Sequence, residues 1–114
     1  MVEPQPTRSA RESCPYLTEI TGLLGIKSIP LPIGTSLIGR WPSNYVVLDS
    51  RAIGSHHARF VRNDDETWIE DVGTRAGIFV DGEKVLDRKR LHDGSEIRLV
   101  DYLFRYHDGT TENE

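Results

Sequence analysis

The sequence predicts an all-β domain. Three observations point there. Short runs are rich in branched and aromatic residues, turn residues recur roughly every 8 to 12 positions, and no long stretch places apolar residues at helical spacing without an interrupting Gly, Pro or Asp pair. A chain of 114 residues suits a single domain, a sandwich or a barrel of such strands.

The elements follow in order. Tyr16 to Thr21 is a branched run closed by Gly22. Lys27 to Leu31 follows Gly25 and ends among prolines, and Thr35 to Gly39 follows Gly34. Tyr45 to Leu48 is bulky and branched. In Ala58 to Arg62, Ala58 and Phe60 alternate with Arg59 and Val61, and Thr67 to Asp71 sets Trp68 and Ile69 beside acids. Ile78 to Val80 runs into Asp81-Gly82, a two-residue hairpin signal that accepts positive φ, with Glu83 to Leu86 as the return strand. Glu96 to Leu99 and Tyr102 to Tyr106 close the chain around a tight turn. Residues 1–14 and 108–114 are polar and read as tails around a domain at 15–107.

Composition excludes several classes. Charged residues make up 28% and hydrophobic ones 37%, which is globular rather than disordered. A net charge of −4 argues against a general nucleic-acid binder. No apolar run is long enough to span a bilayer, and Met1 to Cys14 lacks the apolar stretch of a signal peptide. The lone Cys14 forms no internal disulfide, so a reducing, cytoplasmic location is the simplest expectation.

Enzyme chemistry finds no footing. His56 and His57 are chain neighbours and would point to opposite faces of a strand, and no further His or Cys stands at ligand spacing. Ser55-His56-His57 supplies neither an orienting acid nor a nucleophile elbow. Gly22 to Gly25 lacks the lysine and hydroxyl of a phosphate loop. Asp64, Asp65 and Glu66 read as a solvated hairpin tip. No catalytic residue, metal or cofactor is therefore expected.

The informative residues lie in loops: Gly39-Arg40, Ser43-Asn44, Gly54-Ser55-His56-His57-Ala58, Asp71 to Gly82, and Leu91 to Ile97. Glycines beside hydroxyls and arginines, between strands, suit either a loop-built polar pocket or ordinary turns. From Leu31 to Tyr106 the order and spacing of these blocks resemble the forkhead-associated (FHA) domain. That family carries Gly-Arg, then Ser-x-x-His-Ala, then Asp-x-Gly-Ser-x-Asn-Gly-Thr-x-Val-Asn-Gly, then Leu-x-x-Gly-Asp-x-Ile. The resemblance implies a β-sandwich of two sheets and about eleven strands, with recognition loops at one end gripping a phosphothreonine peptide.

The match departs at two ligand positions. Aligned on His57-Ala58, the family's phosphate-binding serine falls on Gly54 and its asparagine on Ala76. The arginine stays as Arg40 and a hydroxyl stays as Thr74. Losing two contacts to a charged ligand costs roughly 2–5 kcal/mol. Two expectations follow. In the first, Arg75 adds a second guanidinium and the Ser55 hydroxyl swings in on a loop freed by Gly54. The pocket for a phosphorylated protein or peptide is then Arg40, Ser55, Thr74 and Arg75. In the second, the module is a phosphate-independent scaffold for a protein partner, with Trp41 either an anchor or a capping core aromatic. By resemblance Gly39, His57, Gly77 and Gly82 are structural, with His57 bracing the loops. Neither nucleic acid nor membrane is an expected partner.

Overall fold

The computed structural model describes residues 14–25, 28–72 and 75–109. The expected tails fall outside these residues except for Cys14, Asp108 and Gly109. In chain order the strands are β1 (Tyr16–Glu19), β2 (Ser28–Pro30), β3 (Gly34–Gly39), β4 (Val46–Val47), β5 (Ala58–Arg62), β6 (Thr67–Asp71), β7 (Phe79–Val80), β8 (Glu83–Lys84), β9 (Arg88–Arg90), β10 (Glu96–Leu99) and β11 (Tyr102–His107). They form a six-stranded sheet in the order β2-β1-β11-β10-β7-β8 and a five-stranded sheet in the order β4-β3-β5-β6-β9. Pairing is antiparallel except between β3 and β4. Among the described residues there is no helix, and so none long and apolar enough to cross a membrane.

Alternation decides which side chains meet between the sheets. Ala58 and Phe60 of β5, Ile69 of β6, Ile97 and Leu99 of β10, and Tyr102, Phe104 and Tyr106 of β11 are all buried. Full burial of Phe60 or Phe104 contributes roughly 1.5–3 kcal/mol each. The β7–β8 hairpin turns on Asp81 and Gly82, at φ 51° and 85°, the paired positive values that a two-residue loop of this kind requires. The expected strands are present with shifted ends: those expected at 16–21, 27–31, 45–48, 78–80 and 83–86 are shorter, the one expected at 35–39 begins at Gly34, and the last runs on to His107, while Lys27 lies outside the described residues.

β9 has no counterpart in the sequence expectation. Arg88, Lys89 and Arg90 are all exposed and carry no apolar alternation. Their backbone extends because it pairs with β6 at the sheet edge. Arg88 stacks on the Trp68 ring, 4.6 Å from its centroid, and Arg90 reaches Glu66 at 3.6 Å. A charged edge strand deters pairing with other chains, so the residues that hide it from pattern recognition suit its position.

Register fixes which loops share an end. Ile38 pairs with Ala58, and Ala58 with Asp71. The end of β3, the start of β5 and the end of β6 therefore lie side by side. The segments after β3, before β5 and after β6 all emerge there. The β5–β6 hairpin, with Asp64, Asp65 and Glu66, closes the opposite end, where the Asn63 side chain accepts from the N–H groups of Asp65 and Glu66.

A buried hydroxyl contact links the two sheets. Tyr106 Oη donates to Thr67 Oγ1 at 2.8 Å, joining β11 to β6. Burial pushes the Tyr106 phenol above its ordinary value of 10.0, against the hydrogen bond with Thr67, which pulls it down. Burial pushes the Tyr102 phenol the same way. A raised folded value means that the neutral phenol contributes stability fully present below the unfolded value and lost as pH climbs through the folded one. Tyr106→Phe should therefore lower stability at neutral pH by about 1 kcal/mol. It should also reduce the decline in stability above about pH 10. Urea unfolding at neutral and alkaline pH checks both effects.

Candidate functional site

The site is built on a place where two backbones touch. Gly39 ends β3, and a Cβ added there would stand 2.4 Å from Ser55 O and 2.9 Å from Gly54 O. Only a residue without a side chain allows this approach. Across the contact, Arg40 N–H donates to Gly54 O at 2.9 Å and Trp41 N–H to Ser55 O at 3.2 Å. The segment 54–56 is thus laid against the end of β3 by main-chain bonds.

His57 binds a third segment to these two. It is fully buried. Its Nδ1 accepts from Gly54 N–H at 3.0 Å, so the ring proton sits on Nε2, which donates to Gly77 O at 3.0 Å. Its own N–H donates to Ile38 O at 2.8 Å. One neutral imidazole thereby holds the loop before β5 against the loop after β6. Gly77 presents that carbonyl from a left-handed turn at φ 82°.

Asn44 makes the remaining tie. Its side chain is buried, and Nδ2 donates to Trp41 O at 2.9 Å and to Ser55 O at 2.7 Å. Oδ1 accepts from His56 Nδ1 at 2.7 Å. The Trp41 ring stands edge-on to His56, centroids 5.5 Å apart, and remains 53% exposed. It is not a capping core residue.

Against this frame lies an open depression of about 530 Å³, lined by Arg40, Arg51, Ala52, Ile53, Gly54, Ser55, Arg75 and Ala76. Three of the four expected pocket residues are here: Arg40, Ser55 and Arg75. Thr74 lies outside the described residues. Arg40 is oriented by a bond from Nε to Ile53 O at 3.2 Å, which leaves its two terminal nitrogens for a ligand. Among the described residues no carboxylate pairs with Arg40, Arg51 or Arg75. The ion pairs Arg59–Glu70, Arg90–Glu66 and Arg105–Glu96 lie elsewhere. The Ser55 hydroxyl also has no partner among the described residues. A hollow so lined is complementary to an anion. Gly54 and Ala76 border it as the alignment of motifs expects, and neither offers a side-chain donor.

Arg51 is the lining residue that sequence reasoning missed. It sits on the turn Ser50–Ile53, where Ile53 N–H donates to Ser50 O and Ala52 N–H to Ser50 Oγ. No motif in the sequence marks it. Among the described residues no group of three His, Cys, Asp or Glu side chains could hold a metal.

Fold and site define a class: a two-sheet β-sandwich with an arginine-lined hollow built from the loops at one end. The family profile for the FHA domain matches residues 36–100, and the chain belongs to that family. It is similar to the transcriptional regulatory protein EmbR of Mycobacterium tuberculosis, with 32% identity over 98 residues, 86% of this chain. The FHA domain-containing protein FhaB of the same organism is 30% identical over 92 residues, 81% of this chain. The chain spans 24% of the length of EmbR and 59% of that of FhaB. Among solved structures it resembles M. tuberculosis EmbR in complex with a low-affinity phosphopeptide, with a TM-score of 0.79 and 28% identity, covering 90% of this chain and 26% of that one.

Two substitutions test the frame. Gly39→Ala should cost roughly 1–3 kcal/mol, since its Cβ meets only backbone that cannot rotate away. His57→Ala should cost roughly 2–4 kcal/mol, because it strands Gly54 N–H and Gly77 O and leaves a hole. Thermal melting of each against the parent is the measurement. A parental melting temperature for His57→Ala would mean that the two loops stand without their bridge.

Proposed function

We propose that this chain is an interaction module, without catalytic function, that grips a phosphothreonine-containing segment of a partner protein. The observation that carries this reading is the convergence of Arg40, Arg75 and the Ser55 hydroxyl on one open hollow, with no carboxylate paired to either guanidinium among the described residues. FHA domains are readers of phosphorylated motifs, and the related EmbR has been solved with a phosphopeptide. In this reading Arg40 is the primary phosphate ligand, since Ile53 O already fixes its Nε. Arg75 stands one position before Ala76 and adds a second fork of donors. Ser55 replaces the hydroxyl that Gly54 lacks, and Thr74 supplies another. A cytoplasmic setting, where kinases act and the lone Cys14 stays reduced, completes the reading.

One observation favours a second reading, a phosphate-independent scaffold. Trp41, chain neighbour of Arg40, is held at its backbone by Ser55 and Asn44 while its ring stays 53% exposed. Exposed, fixed tryptophans are common anchors of protein interfaces.

Titrating a phosphothreonine peptide library against the parent and Arg40→Ala separates the two. Phosphate-dependent binding should be present in the parent and fall roughly ten- to hundredfold in the variant. Binding that survives both phosphatase treatment and Arg40→Ala, but is lost in Trp41→Ala, would establish the scaffold instead.

A further inference from the structure

We infer that the ligand carries a second anionic group beside its phosphothreonine, and that Arg51 is the residue that receives it. This rests on the phosphothreonine reading above. A phosphorylated threonine carries about −1.5 to −2 at neutral pH. Arg40 and Arg75 together match it. Arg51 lines the same hollow and brings a third full charge, which a single phosphate leaves largely uncompensated.

Among the described residues no carboxylate pairs with Arg51. Asp49, only two residues away in sequence, makes no ion pair with it. The acidic run Asp64-Asp65-Glu66 lies beyond the opposite end of β5. Covering a lone guanidinium with a neutral segment would remove its water without replacing it. A carboxylate or a second phosphoryl group would replace it, and either fits the two-pronged donor geometry of arginine.

Room and placement agree with a second group. The hollow of about 530 Å³ is larger than one phosphoryl group fills. The three guanidiniums come from three different segments. Arg40 follows β3, Arg51 rides the turn Ser50–Ile53, and Arg75 lies in the loop after β6. Arg40 is tied to Ile53 O, whereas among the described residues no hydrogen bond holds the Arg51 side chain. The fixed arginine suits the phosphate, and the one on its own turn suits a neighbouring residue of the same ligand.

The test uses three sets of degenerate peptides around one central phosphothreonine. A single flanking position is fixed as Gln, Glu or phosphothreonine and moved through the four residues on either side. For at least one position the parent should bind an anionic set about tenfold tighter than the matching Gln set. A gain with Glu identifies a carboxylate as sufficient, and a gain with phosphothreonine alone identifies a second phosphate. Arg51→Gln should bring the ratio between sets to about one, and Arg51→Lys should keep part of it, since charge remains without the fork. Arg51 is exposed, so both variants should melt with the parent. Equal binding of all sets at every position, with phosphate dependence intact, overturns this inference alone. A gain that persists in Arg51→Gln overturns the assignment to Arg51. No phosphate-dependent binding by any set removes the underlying reading as well.

Discussion

The recognition end depends on one buried imidazole in one tautomer. Because Gly54 N–H donates to Nδ1 of His57, the proton must sit on Nε2, and that proton is what reaches Gly77 O. The bond on one side thus dictates the bond on the other. The two loops that His57 joins are those that carry Ser55 and Arg75, while the strand it leans on ends in Gly39 and Arg40. Main-chain bonds already lay the segment 54–56 against the end of β3, and His57 brings the loop after β6 to it. Without the ring, Gly54 N–H and Gly77 O would need water inside a packed end of the sandwich, and the loop that carries Arg75 would lose this link to the segments that carry Arg40 and Ser55.

The frame also separates charge along the molecule. From Ala58 to Arg62, β5 spans about 14 Å. One end meets the arginine-lined hollow, and the other turns through Asp64, Asp65 and Glu66. These three acids are thereby kept away from the three guanidiniums, while Asp71 stays at the hollow's end beside Ala58. The net charge of −4 conceals this polarity, since a sum over the chain says nothing about where the signs fall. A mildly acidic chain can in this way present a locally basic hollow.

Strands whose residues alternate were legible in the sequence, and so was the Asp81-Gly82 hairpin, because burial and positive φ leave local marks. β9 was not, since its extended backbone is imposed by β6 rather than by its own side chains. Arg40, Ser55 and Arg75 could be placed on loops by the order of motifs, yet their convergence depends on register and on His57, which no local pattern encodes. Asn44 was noticed only as a residue before a strand. Its three hydrogen bonds to Trp41, Ser55 and His56 emerge only when the loops are folded together. Arg51 had no signal at all, because a turn arginine looks like any other until a hollow forms beside it.

Gly54 and Ala76 change what kind of recognition such a hollow supports. A serine hydroxyl and an asparagine amide are short, neutral and directional, so they read position. Guanidiniums are longer and fully charged, so they read charge over a wider range of positions. In the proposed reading, giving up those two contacts and adding Arg75 would keep attraction for an anion while relaxing where it must sit. The directional constraint then has to come from elsewhere. The rigid elements at the rim are the backbone of Gly54 and Ser55, pinned by Arg40 and Trp41 N–H, and the exposed Trp41 ring set against His56. In the proposed phosphopeptide reader, orientation of the bound segment would fall to these, and its affinity to the arginines. Such binding should weaken steeply with ionic strength, because exposed guanidinium contacts are screened where a buried hydroxyl contact is not.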